Sequence, residues 1–164
     1  MDKLDIKENF LPPSLLDTIT EKVLSPSFKW SYSNVIDGID SEKDMHNFQF
    51  VHTLYYQNKP TSEFFEDFSF VFNFLKSNSL VKCKINFNPC YKEVIEHKLH
   101  TDVPFECKTS ILYLNTNDGY TLFEDGSRVE SVSNRLVTFN SQLKHTGTTC
   151  TNSRGRIVLN MNYF

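Results

Sequence analysis

Long hydrophobic runs are missing from this 164-residue chain, and no segment approaches the roughly 20 apolar residues that a bilayer-spanning helix needs. The start, Met1-Asp2-Lys3-Leu4-Asp5, is charged and lacks the apolar centre of a secretory leader. No CxxC pair occurs among the four cysteines, Cys83, Cys90, Cys107 and Cys150, so neither a zinc knuckle nor a disulfide framework is signalled. They read as reduced thiols of a cytoplasmic protein. Blocks of like charge are also missing. With a net charge of −3 and a pI near 5.9, general nucleic-acid or membrane binding has no electrostatic basis. No internal repeat, linker or low-complexity stretch divides the chain, which predicts a single domain over 1–164.

Helical signals occur only in the first half. Ser14-Leu15-Leu16-Asp17 resembles a capping box behind Pro12-Pro13, and Leu15, Ile19 and Val23 form an apolar stripe at helical spacing up to Pro26. A second helix is expected from about Ser62 to Lys76, after Pro60. Its phenylalanines reach round most of its circumference and predict burial on more than one side, as core rather than as an aromatic substrate cage. Strand signals take over beyond Leu80, after earlier ones at Phe28–Tyr32 and Phe48–Tyr56. Val81 to Phe87, Thr109 to Asn115, Tyr120 to Glu124, Ser127 to Val132, Arg135 to Asn140 and Arg156 to Phe164 read as strands. Asp118-Gly119 and Asp125-Gly126 read as turns, the second as a hairpin. Short strands between such turns predict a mainly β (α+β) jelly roll, with the helices packed outside one sheet.

Against this background, one constellation carries chemistry. In a strand, His100 and Asp102 point to the same side of the chain, with Thr101 facing away. A jelly roll can bring a distant His145 beside them. Two imidazoles and one carboxylate on one face of a metal leave other positions open and select for non-haem Fe(II) chemistry with oxygen. A His-x-Asp alone is weak evidence; joined to His145 and a following arginine it is much stronger. His46 and His52 have no ligand-type company and read as ordinary hydrogen-bonded histidines. His97 would pair with His100 on a helix, but strand parity turns it the other way.

Arg156 opens a strand with Ile157, Leu159 and Met161 on one face and Val158, Asn160 and Asn162 on its own. Sequence alone favours a surface arginine at a strand start; the alternative is a polar pocket lining headed by a two-pronged donor suited to a carboxylate. Arg154 competes for that role, and Tyr113 is placed to send a hydroxyl into the same cavity or to stay buried with a local partner.

From about Val81 onward the chain resembles the 2-oxoglutarate- and Fe(II)-dependent dioxygenases. Within these it is most similar to the prolyl 4-hydroxylase-like branch, in the compact form common among phages and marine bacteria. The resemblance rests on His100-Thr101-Asp102, Tyr113-Leu114-Asn115, Asp125-Gly126, Asn134-Arg135-Leu136-Val137, His145-Thr146-Gly147 and Arg156 to Phe164. Phe28-Lys29-Trp30 and Phe48–Tyr56 match more loosely. It implies a double-stranded β-helix (cupin-like) core over 81–164, with helices and flanking strands in 1–80. His100 and Asp102 would lie on an early core strand, His145 and Arg156 on the last two. It further implies Fe(II) on His100, Asp102 and His145, with 2-oxoglutarate on Arg156 and supporting contacts from Tyr113 and Asn86. O2 would be consumed, with ascorbate as an accessory. Val158 stands where many relatives carry a hydroxyl residue, so either Tyr113 or Asn160 is expected to compensate or cosubstrate preference differs.

The implied reaction is C–H hydroxylation with release of succinate and CO2, in the cytoplasm of a bacterium or a phage-infected host. A peptidyl proline is the leading substrate; free amino acids, other small molecules and a modified nucleobase are alternatives. Substrate contacts are expected from Asp102-Val103-Pro104-Phe105 and the segment around Trp30. A cupin-like metal-binding or interaction module and a structural protein of a virus particle are the readings without that chemistry.

Overall fold

The computed structural model describes residues 4–34 and 44–164; Met1-Asp2-Lys3 lies outside them. In chain order the elements are β1 (Asp5–Lys7), α1 (Pro13–Val23), β2 (Ser31–Asn34), a 3-10 turn (Asp44–His46), β3 (Phe48–Tyr56), β4 (Lys59–Pro60), α2 (Phe65–Leu75), β5 (Leu80–Pro89), β6 (Lys108–Tyr113), β7 (Tyr120–Phe123), β8 (Arg128–Glu130), β9 (Leu136–Asn140), β10 (His145–Gly147) and β11 (Gly155–Tyr163). The strands form two antiparallel sheets. The larger runs β1-β9-β6-β11-β5-β3-β2, with β4 also on β3; the smaller runs β10-β7-β8. The result is a mainly β jelly roll with two helices. Among the described residues no helix is long and apolar enough to cross a membrane.

Side-chain alternation builds two cores on the two faces of the larger sheet. Between the sheets lie Ile111, Tyr113, Val137, Phe139 and Val158 from the larger sheet, against Phe123 and Val129 from the smaller. On the outer face Ile85, Leu112, Leu136, Ile157, Leu159 and Met161 meet Leu16, Ile19 and Val23 of α1 and Phe68 and Val71 of α2. The helices therefore cover one sheet, as the sequence predicted. All nine residues of β11 are buried, the odd ones under the helices and the even ones facing the smaller sheet.

Local signals fared unevenly. The capping box does not form. Pro13 takes the first helical position, which its fixed φ suits, so Ser14 lies inside the helix and Pro12 is its cap. Helix α2 starts at Phe65, with Ser62 Oγ accepting from Phe64 N–H, and ends at Lys76 in the left-handed conformation. Its rings pack on the outer core, although Phe74 stays exposed. The Asp125-Gly126 hairpin is present. Gly126 at φ +83 closes a turn in which its N–H donates to Phe123 O, while Phe123 N–H donates to Ser127 O. Two short strands carried no pattern of their own. One is β1, held on β9. The other is β4, joined to β3 through Gln57 and Asn58, both at positive φ.

Leu159 is fully buried between the central strand and the helices. Leu159→Ala is expected to cost about 3 kcal/mol through lost burial and a cavity. The measurement is urea unfolding, as a lower midpoint at unchanged m.

Candidate metal centre and arginine cleft

The long connection from β5 to β6 doubles back along β10, and this places the first two candidate ligands. Glu96 bridges Thr148 and His100 bridges His145. His100 N–H donates to His145 O and His145 N–H donates to His100 O, both at 3.0 Å. Residues exchanging both bonds in this way carry their side chains on one side of the sheet, and here the ring centroids lie 5.2 Å apart. One expectation is corrected: His100 and Asp102 do not share a strand, because the chain bends after a single bridge at His100. His145 opens β10, in the smaller sheet, and Arg156 lies on β11. The convergence itself stands: one ligand atom from each of His100, Asp102 and His145 lies within 4.8 Å of the others.

Hydrogen bonds set the state of each group. His100 Nδ1 is 3.1 Å from Lys98 O, and His145 Nδ1 is 3.2 Å from Leu143 O. A carbonyl only accepts, so Nδ1 carries the proton in both rings and a neutral ring leaves Nε2 with its lone pair free. His145 Nε2 then stands 3.4 Å from Asp102 Oδ2, acceptor against acceptor, an arrangement that needs a proton or a cation between them. Burial lowers the His100 pKa, opposed by the Lys98 carbonyl and Asp102, which favours the neutral ligand form. Burial alone would raise Asp102. Lys84, His145 and Asn160 outweigh it and hold the carboxyl well below its usual range. Lys84 Nζ donates to Asp102 Oδ1 at 3.2 Å, and Asn160 Nδ2 donates to Oδ2 at 2.9 Å. Lys84 and Asn160 are direct cross-strand partners on β5 and β11, so strand register supplies both arms. These residues fit a divalent cation.

Four residues before Asn160 on the same face of β11, Arg156 is 2 % exposed. Its Nε donates to Ser131 Oγ at 2.8 Å and its Nη2 to Thr121 Oγ1 at 2.9 Å, and its guanidinium lies 5.4 Å from the centre of the Tyr113 ring. Among the described residues no carboxylate is within ion-pairing distance of it. Burial accordingly lowers its pKa, with Tyr113 opposing. Two glycines make room: a Cβ on Gly119 would come within 2.8 Å of Arg156 Cδ, and one on Gly147 within 2.9 Å of Nη1. A buried cation held only by hydroxyls is suited to an anionic guest. Arg156 and the metal-centre histidines line one narrow cleft of about 50 Å³, with Lys84, Asn86 and Asn160. A wider depression of about 610 Å³ near Cys107 and Phe164 touches none of them.

The other candidates divide. The Asn86 and Asn160 side-chain oxygens are buried at the cleft without a hydrogen-bond partner among the described residues. The Asn160 amide nitrogen is committed to Asp102. Tyr113 packs behind the cleft, and its hydroxyl donates to Thr121 Oγ1 at 2.7 Å. Arg154 is exposed. His46 stacks on Tyr91, while His52 bonds Lys29 O and Ser62 Oγ. His97 stays out of the metal cluster, but strand parity misjudged it: it lines the same cleft, between Asn88 and Asn47. Of the expected substrate segments, Phe105 is exposed and stacks on Phe164, while Trp30 packs on Phe28 and Phe87 at the outer core. Sequence reasoning missed Lys84, Thr121 and Ser131. Only the alternation of Lys84 with Asn86 on one strand face hinted at the first.

Burial, helped by Arg156 and His100, lowers the His97 pKa from 6.5 to about 4. Between those values the unfolded chain binds a proton that the native state refuses, so stability is full above pH 6.5 and falls as pH drops towards 4. The loss at this site is on the order of 3 kcal/mol. His97→Gln is expected to flatten that part of the profile, read from denaturant unfolding of metal-free protein between pH 7 and 4.

No protein-family model and no curated protein sequence matches the chain. Solved structures do. A prolyl-4-hydroxylase from Pseudomonas putida superposes with a TM-score of 0.62 at 15% identity, over 99% of this chain and 93% of that one. A prolyl hydroxylase from Trichoplax adhaerens, in complex with a hypoxia inducible factor oxygen degradation domain peptide fragment, gives 0.64 at 15%, over 98% and 83%. An oxidoreductase of the 2OG-Fe(II) oxygenase family from Burkholderia pseudomallei gives 0.68 at 10%, over 98% and 84%. Across nearly its whole length the chain is therefore folded as 2-oxoglutarate–Fe(II) oxygenases are, prolyl hydroxylases among them.

Proposed function

We propose that this protein is a 2-oxoglutarate- and Fe(II)-dependent dioxygenase that hydroxylates a C–H bond of its substrate, working as one domain over 1–164 in the cytoplasm. One observation carries the reading: a His–Asp–His cluster, with acceptor facing acceptor, shares a cleft with a buried arginine that has no acid partner among the described residues. The fold likeness supports it.

His100 Nε2, His145 Nε2 and Asp102 would hold the metal. Bound Fe(II) with 2-oxoglutarate and O2 supplies oxidative decarboxylation to succinate and CO2, coupled to insertion of one oxygen atom into a C–H bond. The protein's own contribution is orientation and exclusion of water. The carbonyls of Lys98 and Leu143 keep each ring turned with Nε2 inward. Arg156 would take the distal carboxylate of the keto acid as a two-pronged donor, with Thr121 and Ser131 fixing the plane of the fork. Thr121 on β7 and Ser131 just after β8 offer the hydroxyls that Val158 lacks on β11. Ile111 and Val158 give the cleft an apolar wall. Asn86 lies across from Val158, between the two ends of the site. A peptidyl proline is the favoured substrate, supported by the prolyl hydroxylases among the neighbours, one of them with a peptide bound. Free amino acids and other small molecules come second, and ascorbate would serve only as an accessory reductant.

Asp102→Ala is expected to reduce iron-dependent succinate formation to background, measured with 2-oxoglutarate under air; turnover retained with iron still bound refutes the assignment. Arg156→Lys replaces a fork by a point charge and is expected to raise KM for 2-oxoglutarate about tenfold or more, with metal affinity within about twofold. Arg154→Lys is expected to leave both unchanged. Candidate peptides and small molecules incubated with iron and 2-oxoglutarate identify the substrate class by a mass gain of one oxygen atom.

A further inference from the structure

The Lys84–Asp102 ion pair belongs to no part of the site that the metal or the keto acid requires. Both partners are withdrawn from water, with side chains 14% and 1% exposed, and the ammonium bonds the oxygen of Asp102 that Asn160 leaves free. A cation at 3.2 Å from a ligand carboxylate is screened little in such a place and opposes a divalent ion on that carboxylate. The same ammonium lines the cleft that Arg156 heads, where it attracts an anion. With Lys84 charged, the protein brings two cations and one anion to the cleft; without it the two would balance.

We propose that Lys84 is an electrostatic positioning residue that weakens metal binding and strengthens binding of the dianionic keto acid. This inference rests on the metal and cosubstrate reading above. Its signature is a pair of effects of opposite sign. If Lys84 served only to hold Asp102 in place, removing it would loosen both ligands together.

Co(II) serves as the metal probe, titrated calorimetrically into metal-free protein, followed by 2-oxoglutarate into the Co(II)-loaded form. Lys84→Met keeps the length of the side chain and removes the charge. It is expected to bind Co(II) about tenfold tighter and 2-oxoglutarate about tenfold more weakly than the unaltered protein. Lys84→Arg is expected to restore both affinities to within about threefold. Lys84→Gln provides a second neutral variant should the methionine form not fold, with thermal unfolding followed by circular dichroism as the check. Equal or weaker Co(II) binding in the neutral variants overturns the proposal, as does a change of the same sign for both ligands. Failure of the unaltered protein to bind Co(II) at all would instead sink the metal reading itself.

Discussion

Two backbone hydrogen bonds, exchanged between His100 and His145, are the constraint on which the site depends. Each is worth only about 1 kcal/mol net, yet together they set the separation and facing of two side chains 45 positions apart. The pairing is the end of a longer seam. Ile95 and Thr149 exchange bonds through main chain and hydroxyl, His97 N–H donates to Gly147 O, and the run closes at His100. The β5–β6 connection is thus zipped onto β10 as an extra edge of the smaller sheet. Once that seam forms, Asp102 needs only a bend of two residues to reach the space between Lys84 and Asn160.

Arg156 is the costly element. Burying a guanidinium with no carboxylate partner among the described residues opposes folding, and what offsets it is local: two hydroxyls, one aromatic face and two glycines that leave room for the side chain. Thr121 accepts from both Arg156 and Tyr113, so the tyrosine steadies the arginine through a shared oxygen. The smaller sheet thereby has two tasks at once, carrying His145 on β10 and bracing the arginine through Thr121 on β7.

Much of this was legible from residue types. Strand β3 falls on its expected bounds and β5, β7, β9 and β11 within two residues of theirs, while the triad was suggested by a His-x-Asp joined to a later His and Arg. The strand pattern left Arg154 and Arg156 in competition, and the resemblance preferred Arg156; burial of Arg156 and exposure of Arg154 separate the two. What could not be read depends on which strands become neighbours. Lys84 is an unremarked lysine until β5 lies beside β11 in the register that sets it opposite Asn160. Thr121 and Ser131 are ordinary until the smaller sheet folds over the larger. His97 was misjudged because a connection with single bridges does not keep strict strand parity. Ser14 failed as a cap because the neighbouring proline competed for the same turn.

The strict alternation along β11 has a wider meaning. Ile157, Leu159 and Met161 answer to the helices, whereas Arg156, Val158 and Asn160 answer to the cleft. One segment therefore keeps two separate accounts of selection, interleaved residue by residue. A lineage could exchange its even positions to suit a new guest while its odd positions keep the architecture unchanged, so diversification of chemistry need not wait for a change of scaffold.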